Sequence, residues 1–189
     1  DKFSNPEWVA SDLIGQAEHD NLAQCILISK DKSVIGKVND EISKQLKDLP
    51  RATIAKNSLI NNGILIYMQS DQKIIDTINK IAPEHLELNI KNYKNMVGKI
   101  KNSGSICLGK YAVMAMTDYG VPGSNHVLPT NTSSRYSSGL SVGEFIKKIS
   151  YINLSKKGIY SLAPSVITLA NYEGLVGHAR SVEKRIRRK

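Results

Sequence analysis

Cysteine is scarce in this chain, and its scarcity removes two classes of protein at once. Two cysteines among 189 residues are too few for a disulfide framework, and neither has the paired spacing of a thiolate metal site. Each lies in an apolar run, Cys25-Ile26-Leu27-Ile28 and Ser105-Ile106-Cys107-Leu108. Both are expected as buried strand residues, in keeping with a reducing cytoplasm. Aromatic residues are also few, at 6%, so the net charge of +9 has no stacking platform to accompany it. The lysines and arginines are scattered and cluster only at Arg185-Ile186-Arg187-Arg188-Lys189. A solvated basic surface is expected, with no nucleic-acid partner. Long hydrophobic runs are missing too: Gly63-Ile64-Leu65-Ile66-Tyr67-Met68 is strand-length, and no membrane span is expected. Asp1-Lys2-Phe3-Ser4-Asn5-Pro6 has no apolar stretch of the kind a signal peptide carries.

What the chain does contain is an alternation of strand-like and helix-like segments. Asn5-Pro6-Glu7 reads as a helix start, and apolar positions follow a helical period to about residue 19. A strand is expected from Gln24 to Ser29, then a helix from about Lys32 to Leu49, stopped by Pro50. A segment rich in turn residues leads to a strand from Ile64 to Met68, and Ser70-Asp71 caps a helix running to about Ile81. A strand (Leu86 to Ile90), a helix (Tyr93 to Lys101) and a strand (Ser105 to Leu108) complete the alternation. The pattern predicts an α/β fold, a mostly parallel sheet flanked by helices in a partial Rossmann-like arrangement. Ligands then bind at the carboxyl ends of the strands.

The chain is expected to divide into an α/β partial domain over 1–109, an active-site loop over 110–140 and a helical carboxy-terminal tail over 141–189. The loop is rich in Gly, Ser, Thr, Asn and Pro, and loops of that length are usually functional or disordered. The tail reads as two helical stretches, Val142 to Tyr151 and Ser161 to Arg188. It has no sheet to join and needs to dock on the rest of the molecule or on a partner subunit. A chain that opens on a helix, with no preceding strand and no initiator Met, reads as a fragment.

All four histidines lie beside other polar residues. Gln16 and His19 are three apart at the end of the first helix, so they either share a metal or place a cationic His at a helix terminus. Glu84 and His85 sit at a helix-to-strand junction, as an acid/base pair or as a solvated loop. Asp118 and His126 flank Tyr119-Gly120-Val121-Pro122-Gly123-Ser124-Asn125, whose two glycines and proline fix the backbone, and here the functional reading is favoured. Glu173 and His178 are five apart on the last helix and either approach one ligand from the side or lie on the surface. Gln, His, Asp and His together are nitrogen and oxygen donors without a thiolate, a set that suits zinc or another borderline divalent ion.

Four stretches in order carry a family resemblance that covers essentially the whole chain. Ser11-Asp12-Leu13-Ile14-Gly15-Gln16-Ala17-Glu18-His19-Asp20, Pro83-Glu84-His85-Leu86, Ser103-Gly104-Ser105-Ile106-Cys107-Leu108-Gly109 and Asn125-His126-Val127-Leu128-Pro129-Thr130 resemble histidinol dehydrogenase, specifically its carboxy-terminal half. The resemblance implies NAD-linked oxidation of L-histidinol to L-histidine in two steps. It implies zinc held by Gln16, His19, Asp118 and His178, with Glu84 and His85 as the acid/base pair. Substrate contacts would come from Gln16, His19, His85, Asp118, His126, Glu173 and His178. It also implies a cytoplasmic homodimer whose tail crosses to the partner's site, with the nicotinamide contacts and one substrate-binding Ser upstream of this chain. Thr117 stands where the family usually has Gly, and the run from Asp118 to His126 is one residue longer than the family's form. The alternative is a non-catalytic fragment, or an assembly and dimerisation domain that keeps the fold.

Overall fold

The amino-terminal helix starts where capping chemistry requires it. Asn5 is extended, its side chain accepts the Glu7 N–H, and Pro6 fills the first helical position of α1 (Pro6–Ala17). In this computed structural model residues 1–121 and 125–187 are described. Pro122, Gly123 and Ser124 of the predicted rigid loop, and Arg188 and Lys189 of the basic cluster, lie outside them. The elements that follow are β1 (Ile26–Ser29), α2 (Lys32–Gln45), α3 (Ala52–Asn62), β2 (Ile64–Tyr67), α4 (Asp71–Ile81), β3 (His85–Leu88), α5 (Lys94–Val97) and β4 (Ser105–Leu108). Beyond them come α6 (Met114–Tyr119), short 3-10 turns at Ser133–Arg135 and Val142–Phe145, α7 (Lys156–Tyr172) and α8 (Val176–Ile186). The chain forms two compact units, Asp1–Val142 and Gly143–Lys189, each described by itself.

The first unit is mixed α/β with parallel strands, as the alternation predicts. The strands pair as β1 with β2, Ile26 opposite Ile64, and as β3 with β4, His85 opposite Ser105. They form two separate two-stranded ladders, not one continuous sheet. Each strand is only four residues long, and helix packing supplies the cohesion that a wide ladder would otherwise give. α4 lays Ile74, Ile75 and Ile78 onto Leu88 and Met96, with Leu86 and Ile106 against them. α1 and α2 meet through Val9, Ala10, Val34 and Val38. A third cluster, Ala17, Cys25 and Ala55, joins α1 to α3. Cys25 and Cys107 are both buried free thiols, and burial pushes each up to about 11.

Several expectations from the sequence need correction. The segment after Pro50 is not all turn, because α3 occupies it. Its polar residues lie largely on the outer face, while Ala55 and Ser58 are buried and the Ser58 hydroxyl donates to the Ala23 carbonyl at 2.8 Å. Residues 110–140 are not a plain loop either, since they contain α6. The Met114 N–H at its start donates to the Glu87 carboxylate at 3.0 Å, a tertiary cap that local sequence cannot show. The helix expected over Val142 to Tyr151 is reduced to the 3-10 turn. Phe145, Ile146 and Ile149 are exposed there, and a short helix without a packed face does not sustain itself.

In the second unit, the single helix expected from Ser161 to Arg188 is two helices. Ser155 caps α7 by accepting the Gly158 N–H at 3.0 Å, so the helix begins earlier and encloses Pro164. Gly174 then ends it with φ +76°, the Gly174 N–H donating to Asn171 O at 3.0 Å and the Leu175 N–H to Ala170 O at 2.8 Å. That pair of bonds is a Schellman stop, which needs a residue free to adopt the left-handed region. Glu173 and His178 are therefore on different helices, Glu173 as the C-cap of α7 and His178 early in α8. Ala163, Ala170 and Ala179 are buried, while Tyr151, Ile152, Leu169 and Tyr172 stay exposed.

Candidate active site

Four elements of the first unit converge on His85. His85 opens β3, and Glu84 immediately precedes it with a carboxylate oxygen 3.7 Å from His85 Nε2. α6 carries Asp118, and the chain returns to place His126 Nδ1 3.4 Å from Asp118 Oδ1. Gln16 ends α1. His19 lies beyond the helix end, not on its face, with its N–H donating to Gln16 O at 3.4 Å and its carbonyl accepting from Arg51 at 3.4 Å. Glu84, Asp118, His19 and His126 all act electrostatically on His85. Glu84, Asp118, His19 and His126 of the sequence-predicted set thus gather around one imidazole.

The site is asymmetric in solvation. Asp118 has only 8% of its side chain exposed, against 64% for His126. Asp118 Oδ1 and His85 Nδ1 are buried and make no hydrogen bond, which native proteins rarely tolerate without a functional reason. Burial holds His85 below the ordinary imidazole range, opposed by the negative charges of Glu84 and Asp118. His85 is therefore neutral near pH 7 and able to accept a proton. Removing the Glu84 charge removes an upward influence, so Glu84→Gln is expected to move the His85 titration to still lower pH. Proton NMR of the His85 ring across pH 4–8 checks this, and an upward movement would contradict the charge arrangement.

Close backbone approach fixes Glu84. The Ser105 N–H donates to Glu84 O at 2.8 Å and the Gly104 N–H to Pro83 O at 3.0 Å. A Cβ added at Gly104 would lie 2.6 Å from Glu84 O and 3.1 Å from the Pro129 ring. Gly104→Ala is expected to push the two strand starts apart at a cost of about 1–3 kcal/mol. Thermal unfolding of the variant measures that cost, and an unchanged midpoint would contradict the packing described.

Two residues escaped the sequence reading. Asp12 and Glu87 share a side-chain hydrogen bond, and burial together with the Asp12 charge pushes Glu87 up to about 7. The available signal was an acid between Leu86 and Leu88 of an otherwise apolar strand, two residues after His85.

The donor chemistry suits a borderline cation. Asp118 offers a buried carboxylate oxygen that makes no hydrogen bond and has His126 Nδ1 at 3.4 Å, and Gln16 and His19 add an amide oxygen and an imidazole within the same unit. His178 belongs to the second unit. Among the described residues, no three His, Cys, Asp or Glu side chains form a metal-holding group by themselves.

The half-buried His85, with Glu84 beside it and Asp118 nearby, lies at the start of a parallel strand, not at the carboxyl ends where the α/β pattern places ligands. Such clusters of interacting titratable groups mark candidate functional sites. The chain belongs to the histidinol dehydrogenase family, whose model matches residues 1–186. It is similar to the histidinol dehydrogenase of Pelagibacter ubique (strain HTCC1062), 85% identical over 189 residues, covering 100% of this chain and 44% of that protein. It is 43% identical over 187 residues to the histidinol dehydrogenase of Clostridium acetobutylicum, covering 99% of this chain and 43% of the relative. Among solved structures it resembles that of histidinol dehydrogenase from Elizabethkingia anophelis, with a TM-score of 0.78 and 39% identity over 97% of this chain and 42% of that one. The chain thus spans less than half the length of the relatives it matches. No helix among the described residues is long and apolar enough to cross a membrane.

Proposed function

We propose that this chain supplies the metal- and substrate-binding half of a cytoplasmic histidinol dehydrogenase, which oxidises L-histidinol to L-histidine in two NAD-linked steps. The observation that carries this reading is the gathering of His19, Glu84, Asp118 and His126 around a neutral, half-buried His85. His85 accepts the proton of the substrate hydroxyl and later that of the hydrated aldehyde, a role that its unpartnered nitrogen and lowered basicity support. Glu84 activates the water that hydrates the aldehyde. His126 and Glu173 contact the substrate.

Gln16, His19, Asp118 and His178 would hold zinc, which when bound supplies a fixed point that orients the substrate's imidazole and amino groups. The unsatisfied Asp118 oxygen supports a cation there. NAD supplies the hydride acceptor, and its contacts, with one substrate-binding Ser, are placed in a segment preceding this chain. The partition into 1–109, 110–140 and 141–189 separates the strands, the site segment and a dimerisation tail, with the two parallel ladders of the first part read as a partial Rossmann-like arrangement. Exposed Tyr151, Ile152, Leu169 and Tyr172 support a tail that docks on a second subunit, placing Glu173 and His178 in the partner's site.

Full-length protein supplied with L-histidinol and NAD is expected to form two NADH for each histidinol consumed, followed by absorbance. A folded protein that consumes histidinol without NADH, or consumes none, would sink the reading.

A further inference from the structure

Glu87 sits where three site-bearing elements meet. On β3 it shares a face with His85 by strand alternation, while Leu86 and Leu88 turn to the α4 core. Its Oε1 accepts the N–H of Met114 at 3.0 Å, the first residue of the helix that carries Asp118. Its carboxyl group is also hydrogen-bonded to that of Asp12, which lies one helical turn before Gln16 on α1. Cys107 is its partner across the β3–β4 ladder. Among the described residues, no cation is among the groups that act on either carboxyl.

We propose that Glu87, hydrogen-bonded to Asp12, is the positioning residue that sets His85, the Gln16–His19 end of α1 and Asp118 at fixed distances from one another. The chemistry follows from the partners. Protonated Glu87 donates to Asp12 with one oxygen and accepts from Met114 with the other, so a single side chain bridges a strand and two helices. The raised proton affinity of Glu87 agrees with that donor role at neutral pH. Glu87 touches no reacting atom. It acts through the residues it holds, as partners behind a metal or catalytic group commonly do. The inference rests on the functional reading above for its zinc readout, and on the fold alone for its backbone readout.

The test uses the full-length protein and two measurements, exchange of the Met114 amide and zinc affinity. Glu87→Gln keeps both hydrogen bonds, its amide oxygen accepting from Met114 and its N–H donating to Asp12. Met114 should stay protected, and zinc affinity should stay close to wild type. Glu87→Ala should expose Met114 to exchange and weaken zinc binding about 10–100-fold. Asp12→Ala, at a half-exposed helix position that leaves the core intact, should weaken zinc comparably while Met114 remains protected. If Glu87→Gln is as damaging as Glu87→Ala, or if Asp12→Ala leaves zinc affinity unchanged, the positioning role is wrong. Met114 protected in Glu87→Ala would overturn it equally. A wild type that binds no zinc would overturn the functional reading instead, and Met114 exchange would still decide the link between β3 and α6.

Discussion

His85→Ala in the full-length protein is expected to lower turnover about 10²–10⁴-fold, the usual contribution of a general base, while zinc still binds. Three observations support the proposal that His85 is the base. Its ring is mostly buried, and burial keeps it neutral near pH 7 against the opposing charges of Glu84 and Asp118. Its Nδ1 has no hydrogen-bond partner, so the imidazole is not committed to holding the fold together. Glu84 lies 3.7 Å from its Nε2, close enough to stabilise the imidazolium that forms when a proton arrives. Alanine removes the acceptor and leaves Gln16, His19 and Asp118 in place. Loss of turnover should therefore appear in kcat with little change in zinc affinity. Full turnover in His85→Ala would assign the base elsewhere, with Glu84 the nearest candidate.

The complementary variant, His19→Ala, is expected to lose zinc itself. Replacing partners behind a metal ligand costs about 10–100-fold in affinity, so removing a direct ligand should cost at least that much. His19 is well suited to the comparison because its side chain supports little of the fold. It is exposed beyond the end of α1, and only its backbone is engaged, the N–H with Gln16 and the carbonyl with Arg51. The variant should unfold at the temperature of metal-free wild type while failing to take up zinc, which separates ligation from stability. Undiminished zinc affinity would remove His19 from the donor set.

The parts of this arrangement that were legible in the sequence are those set by local chemistry. Asn5-Pro6 and Ser70-Asp71 mark helix starts that occur at those positions, and the four strands fall within or beside the expected runs. What was not legible depends on residues far apart in the chain. α6 is capped by Glu87 across the fold, so its own sequence reads as loop. α3 presents a polar surface whose buried Ser58 is satisfied by Ala23, and its composition imitates a turn. Gly174 is present in the sequence, but the left-handed conformation that parts Glu173 from His178 depends on hydrogen bonds back to Asn171 and Ala170. The histidines were easy to single out because each stands among polar residues. Asp12 and Glu87 were not, because an acid in a strand has meaning only once its partner is known.

Gln16, His19, Asp118 and His178 are proposed to form a zinc site beside His85. Zinc titration of the folded, dimeric full-length protein tests it most directly. Saturable binding of one zinc ion per chain is expected, tightened by L-histidinol and lost in His19→Ala. A folded dimer that takes up no stoichiometric zinc, with or without L-histidinol, would contradict it and leave this chain as an assembly domain.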